Sequence, residues 1–90
     1  MSCYEIKYSR TAEKFIRKNK IAGIKFMKAF MEIAQDREYS RNYDIKKFYS
    51  SAYDDIFRLR IGKYRAIFRV VETEILIYIF DIDSRGDIYK

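Results

Sequence analysis

At 90 residues, 49% apolar and 18% aromatic, the chain is one domain over residues 1–90 and too rich in core-forming side chains to be disordered. It has no histidine and a single cysteine, so it lacks the usual general base and the commonest metal ligands, and neither a metal nor a cofactor is expected. The net charge of +6, from 19 Lys and Arg against 13 Asp and Glu, points to a polyanionic partner, either nucleic acid or an acidic protein. No apolar run approaches the ~18 residues of a membrane span.

Residues 3–8, CYEIKY, alternate with Tyr4, Ile6 and Tyr8 on one side, which predicts a short strand; Cys3 at its start has no partner for a disulfide and no expected chemistry. The opening MSCYEIKYSR lacks a signal-peptide core, and a cytoplasmic location is expected. Ser9 and Thr11 both offer hydroxyls to the free N–H groups at the start of a helix over residues 10–19, with Ala12, Phe15 and Ile16 on a narrow stripe. A second helix runs from Ile21 to Gln35. Its apolar face (Ile24, Phe26, Met27, Phe30, Met31, Ile33 and Ala34) is wide enough to pack on both the first helix and a sheet. Gly23 lies within that face, where a missing side chain permits close approach at about 1 kcal/mol of helix propensity.

Residues 36–44 read as a polar loop, 45–49 as a short edge strand and 50–55 as a turn. Three strands follow, over 56–61, 64–71 and 75–82. Gly62-Lys63 suits a tight hairpin turn because glycine accepts positive φ, and Glu72-Thr73-Glu74 makes a looser one. The last strand, ILIYIFDI, is apolar on both faces, which predicts an internal strand covered on both sides, with the N-terminal strand as its other neighbour. The implied fold is α+β and two-layered. A helical hairpin packs on one face of a mostly antiparallel sheet, in the element order β-α-α-β-β-β with an added short edge strand. Across the sheet, the first strand comes first, then the last, then the meander backwards.

The basic residues follow the strand beat. Arg58 and Arg60 alternate with Phe57, Leu59 and Ile61; Arg65 and Arg69 alternate with Ala66, Phe68 and Val70. Successive strand side chains point to opposite faces, so if the apolar set meets the helices, all these arginines point the other way. Clustered guanidinium groups repel unless an anion or carboxylates such as Asp81, Asp83 and Asp87 neutralise them, and the planar guanidinium fork suits a phosphate. Arg85 follows the last strand, and its segment has the length to fold back to the rim of this face. Tyr64 and Tyr89 neighbour arginines and are candidates for stacking on a base. Between Lys7 and Lys28 lie eight Lys or Arg and one acid, Glu13, which reads either as a solvated helix face or as a docking surface for RNA backbone.

The run FRLRIGKYRAIF, a hydrophobic strand and then SRGDIY resembles the RelE/ParE superfamily of type II toxin–antitoxin toxins, in the spacing of Arg60, Gly62, Tyr64 and Arg65 with Arg85 and Tyr89. The resemblance covers essentially the whole chain and implies the same fold. It also implies a toxin neutralised by a cognate antitoxin, which would lay an acidic or amphipathic segment over the arginine face or the helical hairpin. RelE-like members cut mRNA in the ribosomal A site; ParE-like members inhibit DNA gyrase and are not nucleases. On the RelE-like pattern, Arg65 matches the arginine that holds the scissile phosphate. Arg85 matches one that stabilises or protonates the leaving group, and Tyr89 a C-terminal tyrosine that stacks on RNA. Arg58 falls where a basic residue helps activate the 2′-hydroxyl. Arg60, Lys63, Tyr64, Arg69, Lys46 and Lys47 are the further RNA-binding candidates. A guanidinium stays protonated, so the base is left open between Lys46, Lys47, a glutamate and the ribosome itself. An endoribonuclease acting by 2′-hydroxyl attack is the leading expectation, a gyrase inhibitor or an inactive binding member the alternatives.

Overall fold

The computed structural model describes residues 4–48 and 55–83. Strand β1 (Glu5–Tyr8) leads into helices α1 (Arg10–Lys18) and α2 (Lys20–Gln35). A 3-10 segment (Arg37–Asn42) then precedes β2 (Asp44–Lys47), β3 (Ile56–Ile61), β4 (Tyr64–Val71), a 3-10 turn (Glu72–Glu74) and β5 (Leu76–Asp83). The strands form one five-stranded sheet in the order β1-β5-β4-β3-β2. Among the described strands, the β1–β5 pair is parallel and the other pairs are antiparallel. This is the expected two-layer α+β architecture and strand order. Cys3, residues 50–54 of the turn expected over 50–55, and Arg85, Asp87 and Tyr89 lie outside the described residues.

Ser9 ties the two layers together. Its Oγ accepts from the Ala12 N–H at 3.1 Å and so caps α1, while its hydroxyl donates to the Phe80 carbonyl and its N–H donates to the Ile79 carbonyl at 2.9 Å. Thr11, the other capping candidate, lies inside the helix. Between the helices, the Asn19 N–H and Nδ2 both donate to the Phe15 carbonyl, at 2.8 and 3.2 Å, closing α1 before α2 begins. Gly23 allows the hairpin to close. A Cβ there would stand 2.9 Å from Ile16 Cγ2 and 3.0 Å from Ile16 Cα, too near for any larger residue without backbone movement.

The core lies between the helices and one face of the sheet. Phe26 and Phe30 of α2 meet Leu59, Phe68, Ile77 and Ile79, all buried, with the Phe30 and Phe68 rings edge-to-face at 5.1 Å. The apolar face of α2 is wider than its neighbours can cover. Ile24 is 64% exposed, Met31 55% and Met27 39%, whereas the sequence expectation had all three packed. Ala22, Phe26, Ala29, Phe30, Ile33 and Ala34 are the apolar residues that α2 buries, while Ile24, Met27 and Met31 turn outward.

Two further expectations are corrected. Residues 37–42 form a 3-10 segment rather than a loop, started by Asp36, whose Oδ1 accepts from the Glu38 N–H at 2.9 Å. β5 is internal as expected, but Leu76, Tyr78 and Phe80 on its second face are only half-buried, since both helices pack on the other side. The strand begins at Leu76 because Ile75 is left-handed, at φ 49°, where it ends the turn.

Candidate functional site

The face turned away from the helices is built by the register of β2 to β5. Directly opposed residues of antiparallel strands share a face. The pairs Leu59–Ala66, Phe57–Phe68 and Ile61–Tyr64 face the helices. Arg58–Ile67, Arg60–Arg65 and Ile56–Arg69 therefore face outward. Extended over all four strands, the pairing makes ordered rows. One row runs Asp44, Arg60, Arg65, Asp83; the next runs Lys46, Arg58, Ile67, Asp81. Arg69 stands a row further on, with Ile56 and Tyr78 beside it. Strands lie about 4.8 Å apart, and diagonal neighbours roughly 7–8 Å, so the guanidinium groups of Arg58, Arg60 and Arg65 all reach one patch.

The arginines are not equivalent. Arg60 is exposed, and Arg65 is half-buried between Arg60 and Asp83. Arg58 is drawn down onto the sheet, with its side chain 17% exposed and its guanidinium 3.5 Å from Asp44 Oδ1. Among the described residues its buried Nε has no hydrogen-bond partner. A buried donor left unmade is costly. Arg69 is held by Asp55, its Nε donating to Oδ1 at 2.8 Å and Oδ2 at 3.0 Å. Because the Val70 N–H also donates to the Asp55 carbonyl at 3.1 Å, this pair fastens the start of β3 to β4.

The other candidates are spread more widely. Lys46 shares the arginine face beside Arg58; Lys47, one residue on, has the opposite parity and sits opposite Phe57. Lys63 is exposed at the hairpin turn, where Gly62 takes the positive φ of 59°. Tyr64 is on the helix-covered side, edge-to-face with Phe15 at 5.3 Å and with Lys63 Nζ 5.6 Å from its ring centroid. It borders a cleft of about 320 Å³ with Ile21, Lys25 and Lys63.

From the sequence, Asp81 is expected only to neutralise the arginines. In the structure, burial raises its carboxyl above the ordinary carboxylate range and Asp83 adds to the rise, while a backbone hydrogen bond at Ile82 opposes it. Tyr8 is pushed up to about 12 by burial. Tyr43 is also pushed up to about 12, chiefly because its hydroxyl donates to Glu32 Oε1. Among the described residues no group of three or more Cys, Asp or Glu is placed to hold a metal ion, and no helix is long and apolar enough to cross a membrane.

Residues 6–89 match the family model of the ParE toxin of type II toxin–antitoxin systems, parDE. The fold is similar to RelE in the archaeal RelE–RelB complex from Pyrococcus horikoshii OT3, with a TM-score of 0.77 at 22% identity over 94% of this chain and 98% of that one. It is similar to the RelB–RelE antitoxin–toxin complex from Methanococcus jannaschii, with a TM-score of 0.69 at 21% identity over 92% and 94% of the two chains. The isolated E. coli RelE toxin gives a TM-score of 0.71 at 15% identity over 96% and 90%. No curated protein matches the chain in sequence.

Proposed function

The chain belongs to the ParE toxin family of type II toxin–antitoxin systems, and from that premise we propose that it is a ribosome-dependent mRNA endonuclease that stops translation. The observation that carries this reading is the convergence of Arg58, Arg60 and Arg65 from two strands onto one patch bordered by carboxylates. Such a patch binds a phosphodiester, and its rigid scaffold favours in-line attack by the neighbouring 2′-oxygen. Arg65 holds the phosphate and Arg58 adds its positive charge from the neighbouring row, so both neutralise the charge that grows in the transition state. Arg60, Lys46 and Lys63 bind the flanking RNA backbone. Arg85 and Tyr89 follow β5 in sequence; the first stabilises the leaving oxygen and the second stacks on a base.

The partner is a cognate antitoxin, and RelE of Pyrococcus horikoshii and of Methanococcus jannaschii are each found in complex with RelB. Its seat on this chain is the outward stripe of α2, where Ile24, Met27 and Met31 are exposed beside Lys25 and Lys28. An amphipathic helix with acidic margins fits that surface.

A second reading, a gyrase inhibitor acting by protein contact, is favoured by the family model being that of ParE toxins. Purified protein separates the two. The first reading expects mRNA cut only when ribosomes are present, with DNA supercoiling by gyrase untouched. Intact mRNA together with blocked supercoiling would establish the second.

A further inference from the structure

Phe80 is an extra residue in β5. Phe68 pairs with Ile79 and Ile67 with Asp81, so two steps along β5 match one along β4. Before this bulge Ile77 and Ile79 face the core; after it the core residue is Ile82, and Asp81 and Asp83 stand on the outer face. Had the two-residue alternation run on unbroken, both carboxylates would enter the core and Ile82 would face outward. The bulge is therefore the feature that delivers carboxylates to the arginine face. Bulges recur beside active sites, where they re-aim a side chain. This one is anchored, since the Ser9 hydroxyl donates to the Phe80 carbonyl and the Ser9 N–H to that of Ile79.

The two carboxylates have different surroundings. Asp83 lies directly opposite Arg65 and ends the row that Asp44 begins. Asp81 lies opposite the buried Ile67, with Arg58 beyond it. The charged groups around Asp81 on this face are Arg65 and Arg69 diagonally on β4, Asp83 on its own strand, and Lys7 of β1 opposite Tyr78. A carboxylate serving as ion-pair partner to these cations would be held below its ordinary range, yet burial holds Asp81 above it. Arg58 and Asp81 flank Ile67 at two strand spacings, about 10 Å, which leaves room for a ribose and its phosphate.

We infer that Asp81 is the general base of the cleavage reaction, taking the proton from the 2′-hydroxyl; the inference rests on the nuclease reading above. An Asp81 carboxylate oxygen accepts that proton, the 2′-oxygen forms its bond to the adjacent phosphorus, and the bond from phosphorus to the 5′-oxygen breaks. The departing 5′-oxygen takes a proton from water. The products are a 2′,3′-cyclic phosphate and a 5′-hydroxyl end. Asp81 thereby fills the role for which neither Arg58 nor a histidine is available.

The test is single-turnover cleavage of ribosome-bound mRNA as a function of pH by wild type, Asp81→Asn, Asp81→Glu and Asp83→Asn. Wild type should show an acid limb above the ordinary carboxylate range. Asp81→Asn should lose that limb and fall in rate by about 10²–10⁴-fold. Asp81→Glu should keep the limb at reduced rate, and Asp83→Asn should keep a limb moved toward lower pH, because the Asp83 charge adds to the rise at Asp81, with the rate within about tenfold. Equal antitoxin binding and melting temperature across the set exclude misfolding as the cause. Asp81→Asn cutting at the wild-type rate, or with an unchanged acid limb, overturns the assignment while leaving the nuclease reading in place. Should Asp81→Asn fail to fold, wild type and Asp81→Glu decide: a shared acid limb supports the assignment and its absence in wild type overturns it. Wild type that blocks gyrase and leaves mRNA whole defeats the parent reading, and the assignment with it.

Discussion

The two faces of the sheet are made by the same strands and obey opposite rules. Toward the helices, Leu59, Ala66, Phe68, Ile77 and Ile79 are buried, and their contribution is burial of apolar area. On the other face, Ile56 and Ile67 are the buried residues among those described, and they sit among Arg58, Arg60, Arg65 and Arg69. Neighbouring guanidinium groups cost stability rather than adding to it. The contrast teaches that one face holds the fold while the other spends part of that stability on an ordered field for an anion. Substitutions on the two faces should therefore separate stability from activity.

The largest expected effect is on the open face. Arg65→Ala should reduce cleavage of ribosome-bound mRNA by about 10²–10³-fold, as the loss of one transition-state donor does, with unfolding free energy within about 0.5 kcal/mol of wild type. Single-turnover kinetics beside urea denaturation measure both. The covered face should answer in reverse. Phe30→Ala empties the centre of the core and should cost about 3–5 kcal/mol in the same denaturation experiment.

The outward stripe of α2 sharpens the contrast, because it is apolar yet not part of the core. Met27→Glu with Met31→Glu should leave stability within about 0.5 kcal/mol. The same pair should weaken antitoxin binding at least tenfold, about 1.4 kcal/mol, by titration calorimetry. A loss of stability without a loss of binding would place the stripe in the core after all.

The smallest effect is alkaline. Tyr8 and Tyr43 both have their ionisation pushed up to about 12 from an ordinary 10. Each favours the folded state while protonated. Their contribution is full below pH 10 and is lost as pH rises from 10 to 12. Melting temperature followed over that window should fall, and Tyr43→Phe should flatten part of the fall.

Much of this contrast was legible in the residues. The two-residue beat over Phe57–Ile61 and Tyr64–Val70 is enough to send Arg58, Arg60, Arg65 and Arg69 to one side and their apolar neighbours to the other. Tyr64 was singled out by its place beside Arg65 in the chain, but adjacent strand residues point apart, and it packs on Phe15 instead. The stripe of α2 was misread because helical periodicity reports which residues share a face, not how much of that face the neighbours can cover. The bulge was invisible for a different reason. Phe80-Asp81-Ile82-Asp83 alternates without a fault in sequence, and only the pairing with β4 reveals where one residue is skipped. The facing of Asp81 is thus a property of two strands together, which a one-strand pattern does not contain.

The proposed activity requires that the arginine face grip an RNA phosphodiester. Mapping the 5′ ends of cellular mRNA after brief induction tests this most directly. Wild type should generate new 5′-hydroxyl ends within translated codons, absent when Arg65→Ala or Arg58→Ala is induced to the same level. Unchanged mRNA ends alongside relaxed chromosomal DNA would contradict it.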